Sequence, residues 1–172
     1  ASLGPDAVSG VSGFRSRVGE SFTPETVLRL AQALAVFVRK RGGGSVVIGR
    51  DTRPSGVAAF HAASAGLTAS GVNVLDVGIA PTPTVLHAAA CYGAAASMTL
   101  TASHNPSEWN GVEFAAENGR LLAADERDEL MRAFETGVVD HAAWDAQGSV
   151  SAVDDANDRH IERIIGLPQV DA

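Results

Sequence analysis

The segment 45–100 alternates short apolar runs with longer stretches of helical periodicity, and this alternation constrains the fold more than any other feature of the sequence. Runs rich in β-branched residues or alanine at 45–49, 72–77 and 94–100 are typical of buried strands. Between them, 55–70 and 81–92 have apolar residues at helical spacing, and a glycine follows each. Strands that alternate with helices pack as a sheet between helical layers, with right-handed crossovers. We therefore predict a three-layer α/β/α domain around a mixed, mostly parallel sheet.

The flanking segments predict further elements. Thr23, Pro24 and Glu25 form a strong helix start, since threonine caps, proline suits the first helical position and glutamate faces the positive end of the dipole. This helix is expected to end near residue 41, before three consecutive glycines. Weaker patterns predict strands at 8–11 and 112–114 and helices at 125–135 and 154–165. Segment 11–19, which is punctuated by glycine, is expected to form turns.

Composition limits the classes of partner. The chain has 172 residues and a formal net charge of −7, which argues against nucleic acid or an acidic membrane surface as a partner. No apolar stretch approaches the roughly 20 residues of a membrane span, and no signal peptide is visible, so a cytoplasmic location is expected. The single cysteine, Cys91, allows no internal disulfide and is expected to be buried.

A polar loop follows the predicted strand 94–100, with the sequence Thr-Ala-Ser-His-Asn-Pro at 101–106. Ligands bind at the carboxyl ends of strands in open α/β sheets, which makes this loop the candidate site. Ser103 is the natural nucleophile, and His104 and Asn105 can donate hydrogen bonds to an anion. A serine hydrolase is disfavoured, because neighbouring residues rarely align as a triad and the Gly-x-Ser-x-Gly pattern is absent.

Arginines offer a different chemistry for the same serine. The carboxyl ends of two predicted parallel strands place Arg50 and Arg53 on the same edge of the sheet as the loop. Arg15 is a third candidate, and the guanidinium fork of arginine suits phosphate. A serine that carries a phosphoryl group needs such neighbours. For Arg50 and Arg53 an alternative stays open, namely structural pairing with Asp51 and with loop carbonyls.

Three segments together resemble the α-D-phosphohexomutases: 11–15 (Val-Ser-Gly-Phe-Arg), 49–56 (Gly-Arg-Asp-Thr-Arg-Pro-Ser-Gly) and the serine segment 101–106. The resemblance extends from about residue 4 to 166. It implies that Ser103 carries a phosphoryl group, which passes to a hexose phosphate, and that the other phosphoryl group of the resulting hexose bisphosphate then returns to the serine. His104 would contact the sugar and Arg15 a phosphate. The implied phosphate and substrate contacts also include Ser12, Arg50, Arg53, Asn105 and Asn110.

The resemblance also implies partners that these residues do not supply. Family enzymes have four domains, and Mg²⁺ is held mainly by the second domain while it contacts the phosphate on the residue that corresponds to Ser103. Residues 1–150 would be domain I, and 151–172 a helix and linker towards a second domain. Residues 154–159 resemble the metal loop superficially, but Ala156 replaces an aspartate, so helix capping and solvated acids explain them better.

Glu113 is the main departure from the family pattern. The family usually has Asn-Gly-x-Lys after the serine loop, where the lysine is a general acid/base, and this chain has Asn110-Gly111-Val112-Glu113. A carboxylate could act as a base if its pKa were suitable, but it would repel phosphate. Two hypotheses follow: a phosphohexomutase domain with a weak lean to glucosamine or mannose phosphates, or a phosphosugar-binding or interaction module that has lost its activity.

Overall fold

In the computed structural model, which describes residues 3–10 and 13–170, seven strands form one sheet. The strands are β1 (Val8–Ser9), β2 (Gly13–Arg17), β3 (Ser45–Arg50), β4 (Asn73–Ile79), β5 (Ala96–Leu100), β6 (Trp109–Ala116) and β7 (Val150–Ala152). Their order across the sheet is β1-β2-β6-β5-β3-β4-β7. Strands β5, β3, β4 and β7 are mutually parallel, whereas β6, β2 and β1 each run antiparallel to the preceding neighbour. The expected mixed, mostly parallel sheet is confirmed.

Helices cover both faces of the sheet, which completes the predicted three layers. They are α1 (Pro24–Lys40), α2 (Ser55–Ala69), α3 (Thr82–Cys91), α4 (Ala124–Thr136) and α5 (Ala156–Ile165), with a 3₁₀ turn at Glu117–Gly119. Helices α1, α2 and α4 bury the larger apolar cluster, which includes Leu30, Leu67 and Phe134. Helices α3 and α5 bury a smaller cluster on the opposite face, around Val47, Val85 and Ala156.

Helix α1 forms as its sequence predicts. The hydroxyl of Thr23 accepts a hydrogen bond from the backbone N–H of Thr26, and Pro24 is the first helical residue. Leu30, Leu34 and Phe37 are fully buried against the sheet. At roughly 25 cal/mol per Å² of apolar surface removed from water, side chains of this size each contribute about 1.5–3 kcal/mol, so the buried face stabilises this helix more than its cap does.

Strand β2 replaces the turns expected for residues 13–17. It pairs antiparallel with β6, where Arg15 lies opposite Gly111, and also with β1 on its other side. Strand β6 is correspondingly longer than the predicted 112–114. Both strands exist because each satisfies the other's backbone groups, which is a long-range contribution that local glycine content does not reveal.

Residues 150–165 pack against the same sheet. Strand β7 pairs with β4, and Ala156 of α5 is buried on the α3 side. Thr84 of α3 contacts Nδ1 of His160 at 2.9 Å, and Tyr92 donates to the carboxylate of Asp155. The division of the chain at residue 150 remains a prediction.

Cys91 is exposed, contrary to the expectation of a buried thiol. It lies in the last turn of α3, where its sulfur is 3.2 Å from Nε2 of His87, one turn earlier on the same helix. The alanine-rich run around it packs through Ala88 and Ala89 instead, because those residues face the sheet. In the described part of the chain, no helix is long and apolar enough to cross a membrane.

Candidate active site

The serine loop, residues 101–108, connects the parallel strand β5 directly to the antiparallel strand β6. It therefore lies at the carboxyl-terminal edge of the sheet, where ligands bind in open α/β folds. Ser103 is exposed and has a φ of 54°, in the left-handed region that residues with a side chain rarely adopt. Its hydroxyl projects from a backbone conformation that the surrounding contacts must maintain.

His104 lies beside the serine hydroxyl, with Nδ1 3.3 Å from Oγ of Ser103. A hydrolytic triad needs a carboxylate that orients the imidazole. Among the residues that the structure describes, no carboxylate forms a hydrogen bond or ion pair with His104. Within the described residues, His104 therefore lacks the orienting carboxylate of a hydrolytic triad.

Arg53 lies beneath the serine loop, with only 11% of its side chain exposed. Nε donates to Asp51 at 2.9 Å. The other four donors contact backbone carbonyls: Nη1 donates to Pro106 (2.6 Å) and Trp109 (2.9 Å), and Nη2 to Asn105 (2.7 Å) and Ser103 (3.1 Å). A guanidinium has five N–H donors, so all of them are used within the protein.

These contacts correct the expectation that Arg53 binds phosphate, because no donor remains for a ligand. The structural alternative, pairing with Asp51 and loop carbonyls, is the one that the geometry supports. Arg50 also contacts protein groups away from the loop: Nη1 is 3.9 Å from Oδ1 of Asp76, and the guanidinium lies 5.7 Å from the centre of the Phe60 ring. Neither contact brings Arg50 to the serine.

Asn110 was also expected to contact substrate, but its side chain is completely buried. Its amide nitrogen donates to Oγ of Ser55 at 2.8 Å, and its amide oxygen accepts the N–H of Gly111 at 2.8 Å. It joins β6 to the first residue of α2, which makes it a structural residue. The remaining predicted contact, Ser12, lies outside the described residues.

Arg15 and Asn105 meet at the edge of the serine loop. Nη1 of Arg15 donates to Oδ1 of Asn105 at 3.4 Å, which is the one hydrogen bond of this guanidinium to the residues described. Arg15 is half-buried on β2, so most of its donors remain available to an anion. Arg15 and Asn105 are therefore the predicted phosphate contacts that the structure brings to the loop that carries Ser103.

Glu113 lies near Arg15 on the same face of the sheet. It is opposite Gly13 in the β2–β6 ladder, two positions from the residue opposite Arg15, so the two side chains are diagonal neighbours. Together with Thr101 they line a cavity of about 170 Å³. No ion pair involving Glu113 is formed with the described residues. Its carboxylate thus borders the site, as the comparison with the family lysine anticipates.

Thr101 is a site residue that the sequence did not single out, and Asp51 was considered only as a structural partner of the arginines. Oδ2 of Asp51 accepts hydrogen bonds from Nε of Arg53 and from the hydroxyl of Thr101, the latter at 2.8 Å. Oγ1 of Thr101 in turn accepts the backbone N–H of Ser103 at 3.0 Å. The sequence signal was the Asp-x-Arg spacing, which is typical of a side chain that binds the backbone two residues later.

The residues that the structure describes do not supply a complete set of ligands for Mg²⁺. The described residues contain no group of three or more His, Cys, Asp or Glu side chains placed to hold a metal. Asp51 is already occupied by Arg53 and Thr101. In segment 154–159, Asp155 binds Tyr92 and Arg159 at the start of α5.

Comparison with known proteins places this geometry in a family. Residues 6–138 match the family model described as "Phosphoglucomutase/phosphomannomutase, alpha/beta/alpha domain I". The chain belongs to this family. It provides the family's N-terminal α/β/α domain, in agreement with the resemblance carried by the three sequence segments.

Relatives and solved structures agree with this assignment. The chain is 41% identical over 145 residues to the "Probable phosphoglucosamine mutase" of Thermococcus kodakarensis, covering 84% of this chain and 32% of that protein. It is 40% identical over 157 residues to the "Phosphoglucosamine mutase" of Pseudomonas paraeruginosa, covering 89% and 34%. A crystal structure of a phosphoglucomutase/phosphomannomutase family protein from Burkholderia thailandensis superposes with a TM-score of 0.78 at 30% identity, covering 91% and 34%. The chain thus spans about a third of the length of these proteins.

Proposed function

We propose that this chain is the phosphoserine domain of a longer phosphohexomutase polypeptide and that Ser103 carries the phosphoryl group. The observation that supports this most is the exposed hydroxyl of Ser103 on a loop fixed by Arg53, with Arg15 and Asn105 beside it. In this role residues 1–150 form domain I, and 151–172 lead towards the next domain. A cytoplasmic location is part of the proposal, because hexose phosphates are its substrates.

In each step of the proposed transfer, one P–O bond forms as one P–O bond breaks. The P–O bond to Oγ of Ser103 breaks as a P–O bond to a sugar hydroxyl forms, and the hydroxyl proton passes to a base. The second half-reaction reverses these steps with the other phosphoryl group of the bisphosphate. Arg15 and His104 would bind the charged oxygens, and Glu113 is the titratable group placed to exchange the proton.

Mg²⁺ would neutralise charge on the transferring phosphoryl group when it is bound. In this chain only a phosphorylated Ser103 would contact it, and its other ligands would come from the remainder of the polypeptide. The remaining domains of the same polypeptide, together with a hexose phosphate and a hexose bisphosphate, are the proposed partners.

Glucosamine phosphate is the substrate that we favour. The support is the shared name of relatives with 40–41% identity, which are phosphoglucosamine mutases. This chain corresponds to about a third of the length of those proteins. Turnover of glucosamine 6-phosphate, mannose 6-phosphate and glucose 6-phosphate by the full-length polypeptide would rank the three substrates, and slower turnover of the glucosamine ester than of both others would contradict the choice.

Mass analysis of the full-length polypeptide tests the phosphoryl carrier. After incubation with a hexose 1,6-bisphosphate, we expect one phosphoryl group on the serine loop, mapped to Ser103 by peptide sequencing. Ser103→Ala should abolish the modification. Ser107→Ala is the matched control, because Ser107 is an exposed serine of the same loop, and it should be phosphorylated at Ser103 as in the wild type. An unmodified Ser103 would refute the proposed mechanism.

A second function is favoured by one observation, the carboxylate of Glu113 beside the phosphate contacts. It would leave a phosphosugar-binding or interaction module without turnover. Glu113→Lys adds the usual positive charge, and Glu113→Gln removes the negative charge alone. We expect the wild-type polypeptide to turn over hexose phosphates. If only the Glu113→Lys variant does so, the binding module is the better description.

A further inference from the structure

We propose that the Asp51–Arg53 ion pair is the positioning element of Ser103 and holds this residue by both of its backbone polar groups. The carbonyl of Ser103 accepts Nη2 of Arg53 at 3.1 Å. The N–H of Ser103 donates to Oγ1 of Thr101, whose hydroxyl donates to the same Asp51 carboxylate that binds Arg53. The two groups that define the orientation of the residue therefore converge on one ion pair.

This restraint matters because the φ of Ser103 is 54°. A residue with a β-carbon is strained in this region, and the strain persists only where surrounding contacts determine the backbone. If either hydrogen bond to the backbone of Ser103 were lost, the peptide could rotate to negative φ, and the hydroxyl would leave its place beside His104. The ion pair thus fixes the direction of the hydroxyl without touching it.

Arginine is the side chain that this geometry requires. Its planar fork reaches four carbonyl oxygens at once while Nε remains on Asp51. Lysine has three donors on a single nitrogen and cannot span the same acceptors. Asp51 also neutralises the guanidinium, which is largely buried, and so lowers the cost of removing its charge from water.

The same contacts distinguish positioning of Ser103 by Arg53 from binding of the substrate by Arg53. Because all five donors of Arg53 are used within the protein, its loss should leave the substrate's affinity nearly unchanged. The rate of phosphoryl transfer should fall instead, since the serine would spend less time in the reactive orientation. The expected fall in this rate rests on the proposed role of Ser103, whereas the restraint of the loop does not.

Amide hydrogen exchange on the full-length polypeptide tests the restraint directly. In Arg53→Lys and Arg53→Gln, we expect exchange in peptides covering 101–109 to rise by about tenfold to a hundredfold, as loss of charged hydrogen bonds allows local opening. Arg120→Gln, which removes an exposed ion pair with Glu126, is the matched control and should leave these peptides unchanged. Thr101→Val should speed exchange of the Ser103 amide.

Kinetics of the same variants give the second readout. We expect Arg53→Lys and Arg53→Gln to lower kcat by at least about tenfold with little change in KM, with lysine giving no rescue. Exchange in 101–109 at the wild-type rate in both Arg53 variants would overturn the proposal. If those variants do not fold, an unchanged Ser103 amide in Thr101→Val would overturn it. An absence of phosphate on wild-type Ser103 would refute the proposed function and leave the exchange result standing.

Discussion

Gly111 allows strand β2 to approach the base of the serine loop. A β-carbon at this position would lie 2.5 Å from the carbonyl oxygen of Phe14 and 2.8 Å from both Cγ of Arg15 and the carbonyl oxygen of Thr101. Two of these atoms are backbone, so they cannot move without disturbing the β2–β6 ladder at Phe14 or the start of the serine loop at Thr101. The absence of a β-carbon at this position therefore keeps Arg15 next to the serine loop, where it contacts Asn105.

Replacement of Gly111 by alanine should destabilise the chain by about 2–4 kcal/mol, because overpacking against backbone forces the strands apart. Gly78→Ala is the comparison: Gly78 has a φ of 67° but open space around it, so only left-handed strain of about 1 kcal/mol is expected. Urea denaturation of both variants checks this order. Equal losses would show that close approach at Gly111 is not the dominant cost.

The sequence predicted which residues share the serine loop, but it did not predict which contacts hold that loop in place. Ser103, His104 and Asn105 are contiguous, so their shared loop follows from one segment. Arg53 is different, because its role depends on carbonyls some 50 residues away that turn towards it only after the loop has folded. Residue type alone does not distinguish an arginine that binds phosphate from one that binds backbone carbonyls. The contacts in the folded loop make this distinction.

At the scale of elements, helix α4 depends on Glu126 at its first turn. The carboxylate accepts hydrogen bonds from two nitrogens of Arg120, at 2.8 and 2.9 Å, and from the backbone N–H of Ala123 at 2.8 Å. The hydrogen bond from Arg120, aided by that from Ala123, lowers the pKa of Glu126 from 4.5 to about 2. One ionised side chain therefore caps the helix and attaches it to the preceding turn.

The lowered pKa of Glu126 predicts a pH-dependent contribution to stability. The carboxylate binds protons less readily when folded, so its stabilisation is complete above about pH 4.5 and is lost as the pH falls towards 2. Because Arg120 is 48% exposed, we discount this to about 1 kcal/mol. Glu126→Gln should lose that amount at pH 7, and the difference from wild type should vanish near pH 2.

Denaturation across pH 2–7 measures this difference, with Asp145→Asn as a control at an exposed carboxylate. The control should follow the wild type throughout. A Glu126→Gln difference that grows on acidification would contradict the assigned sign.

Elements with strong local signals were predicted, whereas β2 and β7, which lack such signals and depend on distant pairing, were not. Helix α1 has its cap, its proline and its apolar face in consecutive sequence, and it forms between nearly the expected residues. Strand β7 is only Val150–Ala152 and is exposed, so no alternation of apolar residues marks it. It exists because β4 presents a free edge beside it, which is a property of the folded sheet.

At the scale of the molecule, residues 150–170 should contribute to the stability of the sheet. A chain that ends at 149 would uncover the edge of β4 and would remove Ala156 from the apolar cluster around Val47 and Val85. We expect the free energy of unfolding to fall by about 2–4 kcal/mol, as for the loss of a buried side-chain group. A chain that ends at 166 retains α5 and serves as the control; equal stability of both would show that α5 contributes little.

A second prediction concerns the activity of the isolated chain. We expect no appreciable turnover of hexose phosphates by residues 1–172 alone, because the described residues offer no set of metal ligands and only one cluster of phosphate contacts. A coupled assay with purified chain and full-length polypeptide in parallel measures this. Turnover by the chain at a rate near that of the full-length polypeptide would contradict the requirement for further domains.

The position of Cys91 has a practical consequence for spectroscopy. Helix α3 runs back from the carboxyl end of β4 to the amino end of β5, so the single thiol of the chain lies at the opposite edge of the sheet from Ser103. It is exposed, and the chain has no other cysteine that would compete with it for a maleimide dye. A fluorophore there and a labelled sugar phosphate at the serine loop would form an energy-transfer pair that reports ligand binding without altering the residues that bind it.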